Sequence, residues 1–341
     1  KSMSADQYTK ELCRNHDLLL AGLAPDTRYH LRVWNKAEGG AETVSPAVQF
    51  RTPPKPPDLY RPSREHWGLQ LSEPWCDLAA ETRAKAVAAP YIRTLRVRAT
   101  WGELQPEKPD QISWKVLEEQ LAGLEKASAG KEKFIKLSLA GVRHVEGKNE
   151  DPWFLEGVEI LQRPRKEKAE TKRREHKPEE KENVVRWDPQ YLCRWLALVK
   201  AVGNRLEPNP AEGPDPHPFL VLAAISSVSN TGEMAMTPRL LDAYREDGYT
   251  NAQIAENMKW ACRAMLQVFA EAFPRQGLAM NMGNINVRDE KGNEAGEAIL
   301  DEAAAAYGKR MQLAVTGFGK ADKDGPHAKL VQRFRDQVVV A

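Results

Sequence analysis

Two hydrophobic periodicities divide the chain. Between residues 16 and 52 apolar side chains alternate with polar ones at Leu18, Leu20, Leu31 and Val33, and Gly39-Gly40 punctuates the run before Ala47-Val48-Gln49-Phe50. A period of two is that of a half-buried strand, so this stretch predicts β structure with a turn at the glycines. Thr52-Pro53-Pro54-Lys55-Pro56-Pro57 follows. Its prolines fix φ and remove main-chain donors, which excludes a helix or a central strand and predicts a semi-rigid linker. The expected organisation is a small β domain over 1–53, a linker over 54–60 and a larger domain over 61–341.

Beyond residue 60 short apolar runs alternate with amphipathic stretches. Strands are predicted at Trp67–Leu71, Ile92–Ala99, Phe134–Ala140, Phe219–Ser226, Leu278–Met282, Met311–Thr316 and Gln337–Val340. Between them Leu117, Leu121 and Leu124 share a helix face, as do Leu192, Trp195, Leu196 and Val199, and Ile254, Met258, Ala261, Met265 and Val268. Thr250 or Asn251 is placed to cap the last of these, and Pro274 to end it. The alanine-rich stretches 79–89 and 298–306 are helix formers by propensity. Sustained βα alternation predicts a parallel sheet with right-handed crossovers. The fold class expected is α/β: a (β/α)8 TIM barrel, incomplete at its C-terminus because the chain ends within the seventh strand. A doubly wound open sheet competes, but no glycine-rich phosphate loop follows the first strand.

Composition narrows the partners. Fifty Lys and Arg against 48 Asp and Glu leave a net charge of +2, which is no electrostatic footprint for nucleic acid. No apolar run is long enough to cross a bilayer. Residues 163–182 hold nine Lys or Arg and six Glu with no large apolar side chain, which predicts a solvated insertion between the third and fourth strands. Cys13, Cys76, Cys193 and Cys262 are far apart, which predicts free, mostly buried thiols, with neither a zinc site nor a disulfide scaffold. No metallopeptidase, nucleophile-elbow or P-loop motif appears, and no cofactor is expected.

In a barrel of this kind the functional site lies where the strands end. The second strand runs into Thr100-Trp101-Gly102-Glu103, the third into Arg143, His144 and Asp151-Pro152-Trp153, and the fourth into Asn230-Thr231-Gly232-Glu233. Asn281, Asn284 and Asn286 follow the fifth. Amides, carboxylates, a histidine and aromatic rings are the groups that bind sugar hydroxyls and stack on pyranose faces. Glu233 is the candidate catalytic residue, while Trp101, His144, Asn230, Asn281 and Trp153 are the candidate substrate contacts. Plainer roles compete at each. Glu233 can pair with an arginine or cap a segment, Trp101 and Trp153 can be packing, and His144 can be an ordinary loop residue. The asparagines suit turns, and Glu103 is expected to brace its loop.

Two resemblances sharpen this reading. His16-x-Leu18-x-Leu20-x-Gly22-Leu23-x-Pro25-x-Thr27-x-Tyr29-x-Leu31-Arg32-Val33, with Ser45, Phe50 and Thr52-Pro53, resembles the second half of a fibronectin type III domain. Residues 60–341 resemble the retaining barrel glycoside hydrolases, most closely β-galactosidase-like bacterial members. The resemblance rests on Arg96-x-x-x-x-Trp101-x-x-Leu104-x-Pro106, Trp114-x-x-Leu117, Asp151-Pro152-Trp153, Trp187-Asp188-Pro189-x-Tyr191-x-x-Trp195 and Gly232-Glu233. It implies that Glu233 is the general acid/base and that a second carboxylate, the nucleophile, ends the seventh strand beyond Ala341. The usual asparagine before the acid/base is replaced by Gly232. The expected function is glycoside hydrolysis on an oligo- or polysaccharide, the 341-residue chain alone lacking its nucleophile and therefore activity. The alternative is a catalytically silent carbohydrate-binding or surface scaffolding protein. The fibronectin-like half implies an extracellular or cell-surface setting by analogy.

Overall fold

The computed structural model describes residues 23–36, 42–52, 69–129, 131, 133–141, 153–161, 184–206, 220–225, 238–281, 295–314, 329, 332–334 and 336–340. The proline-rich linker, the charged stretch 163–182 and Cys13 lie outside them.

Four short strands precede the linker: β1 (Arg28–Leu31), β2 (Trp34–Lys36), β3 (Glu42–Val44) and β4 (Val48–Arg51). β1 pairs antiparallel with β4 and β2 with β3, in registers one residue out of step. They therefore form one long hairpin with an irregularity at its middle, where Ser45 Oγ accepts from the Val33 N–H at 2.9 Å. At its open end Tyr29 Oη accepts from the Ala24 N–H at 2.7 Å. Thr52 Oγ1 donates to the Ala24 carbonyl at 2.6 Å and accepts from the Thr27 N–H at 2.9 Å. Tyr29 also stacks on Phe50.

The larger unit is built on β5 (Leu69–Pro74), β6 (Ile92–Thr100), β7 (Phe134–Ala140), β8 (Leu220–Ala224), β9 (Gly277–Asn281), β10 (Met311–Ala314) and β11 (Val339–Val340). All seven expected strands are present, and every neighbouring pair is parallel. Their order across the sheet is their order along the chain. That order decides between the two architectures. A doubly wound sheet reverses strand order at a switch point. A sheet wound in one direction by right-handed crossovers puts all its helices on one face and curls. The result is a curled half-barrel. Pro74 ends β5, an edge strand among the described residues, where a missing N–H is tolerated.

Register separates the two faces of this sheet. Val97, Leu137, Ala223, Leu278 and Met311 are aligned across five strands, and all are at most 2% exposed. Met311 and Leu313 meet Leu300, Ala303 and Ala304 of α7 (Ala295–Tyr307), so this row faces the helices. α1 (Ala80–Ala88), α3 (Lys115–Ala127), α4 (Pro189–Leu206) and α6 (Asn251–Ala272) match the expected helical stretches. Two further helices, α2 (Trp101–Leu104) and α5 (Pro238–Glu246), were not expected. Thr250 caps α6 through a reciprocal bond pattern with Gln253, and Asp188 caps α4, whose first residue is Pro189. Beyond the far end of α6, buried Arg310 donates to the carbonyls of Ala270, Phe273 and Gln276 at 2.9, 2.6 and 3.0 Å.

Of the described cysteines only Cys262 is buried; Cys193 is half-buried and Cys76 is exposed. The expectation of mostly buried thiols fails at Cys76 because it sits in the turn leaving β5, on the rim rather than on a core-facing position.

Candidate functional site

The other face of the sheet carries the charged and polar strand residues. Arg98, Ser138, Ala224, Ala279 and Gln312 are aligned across the same five strands, with Arg96, Lys136, Leu222 and Gly277 one level below. On β6 the charged positions alternate with Leu95, Val97 and Ala99, all fully buried. Arg96 donates to Ser138 Oγ at 2.9 Å and Lys136 to Gln70 Oε1 at 3.4 Å, so three strands share one polar surface. Toward β8 and β9 the surface passes to Ala224 and Ala279, with the Leu222 side chain lying over Gly277 one level below. This face is therefore basic and polar on one side and apolar on the other.

At the C-terminal rim Arg98 forms a two-pronged pair with Asp77, which follows β5, at 2.9 and 3.0 Å. Such a fork holds the carboxylate as an acceptor. Cys76 beside it donates to Asp77 Oδ1, and although the residue is exposed, partial desolvation of its sulfur together with that bond pushes the thiol up. Glu103 accepts from the Thr100 N–H and hydroxyl at 2.7 and 2.8 Å while Thr100 Oγ1 accepts from the Glu103 N–H. This capping box starts α2 and gives Glu103 the bracing role expected of it.

Gln105 is a junction that sequence reasoning missed. Its side-chain oxygen accepts from Trp101 Nε1 at 2.9 Å, its amide donates to the Pro109 carbonyl at 2.6 Å, and its carbonyl accepts from Trp153 Nε1 at 3.0 Å. Trp101 is fully buried, stacked on Phe154 at 4.4 Å and edge-on to Trp153 and Tyr191. That corrects the expectation of a sugar platform at Trp101: no ring face is open, and its role is to pack the β6 exit against α4. Trp153 is half-buried, held by its N–H and by Arg194, whose guanidinium lies over the ring and donates to the Phe154 and Glu156 carbonyls. Of the two rings, Trp153 keeps a surface that a ligand can reach.

The stretch Trp187 to Trp195 serves packing and capping. Asp188 accepts from the main-chain N–H of Tyr191 at 2.9 Å and of Glu159 at 3.1 Å. Burial raises its carboxyl above the usual range, against those bonds and the pull of Arg194. Trp187 stacks on Tyr244 at 4.4 Å, and Tyr191 and Trp195 are fully buried against Trp101. Burial pushes the Tyr244 phenol up to about 12.

Glu233, His144 and Asn230, with Asn284 and Asn286, lie outside the described residues. The main chain of Asn281 closes β9, paired with Ala314 at the rim. A signal for the polar interior was present in the sequence: Arg96 and Arg98 alternate with apolar residues inside one strand, which places both on the face opposite the helices.

No protein-family model matches this chain, and no curated protein matches it. Solved structures similar to it include an exo-β-1,4-mannosidase from Opitutaceae bacterium strain TAV5, at 15% identity and a TM-score of 0.38 over 73% of this chain and 38% of that one. A β-galactosidase from the psychrophilic Marinomonas ef1 aligns at 12% identity and a TM-score of 0.40, over 74% and 40% of the two chains. Endo-glycoceramidase II from Rhodococcus sp. aligns at 10% identity and a TM-score of 0.41, over 77% and 60%. The chain thus spans between 38% and 60% of the length of these three.

Proposed function

We propose that this is a glycoside-hydrolase-like protein acting on an oligo- or polysaccharide by a two-carboxylate mechanism. Glu233 is the general acid/base in this reading, with a second carboxylate as nucleophile. The observation that carries the proposal is the sequential parallel order of β5 to β11. In such a sheet every βα connection leaves from the same rim. The connections after β7 and β8 are those that contain His144 and Trp153, and Asn230 and Glu233, in the sequence, and Asn281 is the last residue of β9. Among the described residues of this rim, Asp77 is paired with Arg98 and Glu103 caps α2 with Thr100.

A general acid protonates the departing oxygen and then, as a base, activates water. Trp153 offers a half-exposed ring for a pyranose face, with His144, Asn230 and Asn281 as hydroxyl partners. We read the N-terminal hairpin as the end of a fibronectin type III domain, and the Tyr29–Ala24 bond, from a strand tyrosine to the backbone upstream, favours it. A secreted or cell-surface setting goes with that reading.

The test uses the protein expressed from its full coding sequence, assayed on a panel of aryl glycosides. Glu233→Gln is expected to lower turnover of a glycoside with a poor leaving group by about 10²–10⁴-fold. The same variant is expected to keep the first, glycosyl-transferring step on a dinitrophenyl glycoside, whose leaving group needs no proton. Unchanged turnover in Glu233→Gln overturns the assignment. Absence of turnover on every glycoside favours the silent carbohydrate-binding protein.

A further inference from the structure

One face of the N-terminal hairpin is cationic. Along β1 and into the residues after it, Arg28, His30 and Arg32 are exposed, while Tyr29, Leu31 and Val33 between them are half-buried. A period of two puts the first set on one face and the second on the other. The register of β1 on β4 places Arg51 opposite Arg28 and Gln49 opposite His30, so both add to the first face. We propose that this face is a docking surface for a linear sulfated polysaccharide, held as a tether and not as a substrate. The proposal rests on the hairpin alone, not on the glycosidase reading or on the larger sheet.

Three observations carry it. First, the charge of the face is not balanced within the hairpin. Asp26 closes a two-pronged pair with Arg51, 2.9 Å in each arm, and the two side chains stay 59% and 60% exposed. Among the described residues no carboxylate pairs with Arg28, His30 or Arg32. Arg28 and Arg51 are moreover direct cross-strand neighbours, an arrangement that costs stability because like charges repel. An anion that meets several of these cations at once relieves that repulsion.

Second, the spacing suits a linear polyanion. Antiparallel strands rise about 3.4 Å per residue, so Arg28 and Arg32 lie about 14 Å apart along the strand, with Arg51 about 4.8 Å to the side. A sulfate ester is a tetrahedral oxyanion like phosphate, and one guanidinium can donate two parallel N–H bonds to it. Arg28 and Arg32 can each make such a fork, and Arg51 keeps its Nη1 for the ligand after its pair with Asp26. A strip two strands wide accommodates one extended polymer chain.

Third, the company these cations keep selects among polyanions. Tyr29 and Phe50 stack on the opposite face, so among the described residues no ring accompanies the arginines to stack a base of single-stranded nucleic acid. Nor does a large apolar side chain accompany them to enter a lipid headgroup layer. His30 and Gln49 instead supply ring and amide groups that hydrogen-bond to sugar hydroxyls. With a net charge of +2 the chain as a whole draws in no polyanion from a distance, so binding depends on these local groups.

The test is calorimetric titration of the 341-residue chain with a heparin decasaccharide. A Kd on the order of 10 μM is expected in 50 mM NaCl, weakening about tenfold or more in 200 mM. Arg28→Gln with Arg32→Gln is expected to weaken binding at least about tenfold. Both side chains are exposed, so the melting temperature of that variant is expected to stay within about 2 °C of the parent. Replacing the other concentration of Lys and Arg, residues 163–182, by a short turn is expected to change the Kd by less than about twofold. A chemically desulfated decasaccharide, oligo-dT and phosphatidylserine vesicles are each expected to bind at least about tenfold more weakly than the sulfated chain. Absence of heparin binding overturns the proposal, as does binding that survives in the double arginine variant or is lost with residues 163–182. Equal binding of the desulfated chain, of oligo-dT or of vesicles also overturns it, because the face then selects no sulfated sugar. Turnover in the Glu233 experiment is decided separately and bears on neither outcome.

Discussion

The Asp188 carboxylate accepts a hydrogen bond from the main-chain N–H of Glu159 at 3.1 Å, across a separation of 29 residues. Between the two lies the charged stretch 163–182. Beside this bond Ile160 and Val184 form an antiparallel bridge, and the Val185 N–H donates to the Glu159 carbonyl at 3.0 Å. Tyr249 Oη donates to the Glu159 carboxylate at 2.8 Å, and Leu161, Val184 and Val185 are buried. The base of the insertion is thus closed by groups that belong to the barrel, not by the insertion itself.

Replacing 163–182 by a short Asn-Gly turn is therefore expected to leave the fold intact. Nothing in that stretch has a large apolar side chain to bury, and a shorter loop has less closure entropy to lose, by about 1 kcal/mol. The melting temperature is expected to stay within about 2 °C of the parent or to rise slightly. A fall of more than roughly 5 °C would mean that the insertion contributes to the core.

Asp188 itself gives the protein a pH signature. Burial raises its carboxyl above the ordinary 3.8. The native state then holds a proton that the unfolded chain has already released, so stability falls as pH rises from about 3.8 through the folded value. Asp188→Asn keeps an acceptor oxygen for a main-chain donor and does not titrate. The melting temperature of the parent minus that of Asp188→Asn is expected to decrease as pH is raised from about 3.5 to 7. A difference that grows with pH would show that the main-chain donors outweigh burial and hold the carboxyl low.

Two of the parallel strands were legible by different signals, β6 by the alternation of Arg96 and Arg98 with Leu95, Val97 and Ala99, and β7 by its short, mostly apolar run. Ile92–Thr100 and Phe134–Ala140 lie within one residue of the predicted spans. α2 and α5 were not legible. α2 is a single turn held by Thr100 and Glu103, too short for any periodicity, and α5 begins at Pro238, where a proline reads equally well as a loop. At the site, the pattern located the rim but not who is buried there. Trp101 and Trp153 look alike in sequence, each beside polar loop residues. Only the three-way junction at Gln105 assigns one to the core and leaves the other half open.

That assignment predicts different consequences for the two tryptophans. Trp101→Phe retains most of the buried ring but leaves the Gln105 oxygen without its donor inside the core. A loss of about 1–3 kcal/mol is expected in denaturant unfolding. Trp153→Phe removes a bond at a half-buried position and should lower stability by less than about 1.5 kcal/mol. If Trp153 is the sugar platform, its replacement by alanine weakens carbohydrate binding, whereas Trp101→Phe leaves the binding of the folded protein unaltered. Equal stability losses in the two phenylalanine variants would show that the exposure difference does not control their energetics.

The packing of α4 on α6 makes a prediction that opposes helix propensity. Gly203 lies in the last turn of α4, and a Cβ placed there would sit 2.4 Å from the Ala272 carbonyl oxygen and 2.6 Å from its Cβ. Propensity alone favours Gly203→Ala by about 1 kcal/mol. Sterics oppose it by more, because the obstacle is main chain at the end of α6, where Arg310 holds the neighbouring carbonyls. Gly203→Ala is expected to destabilise by roughly 1–3 kcal/mol net in denaturant unfolding. Adding Ala272→Gly removes the Cβ clash but not the carbonyl, so the double variant is expected to recover only part of the loss. A rise in stability for Gly203→Ala would mean that the two helices separate at little cost, and that the close approach is not what holds α6 beneath the sheet.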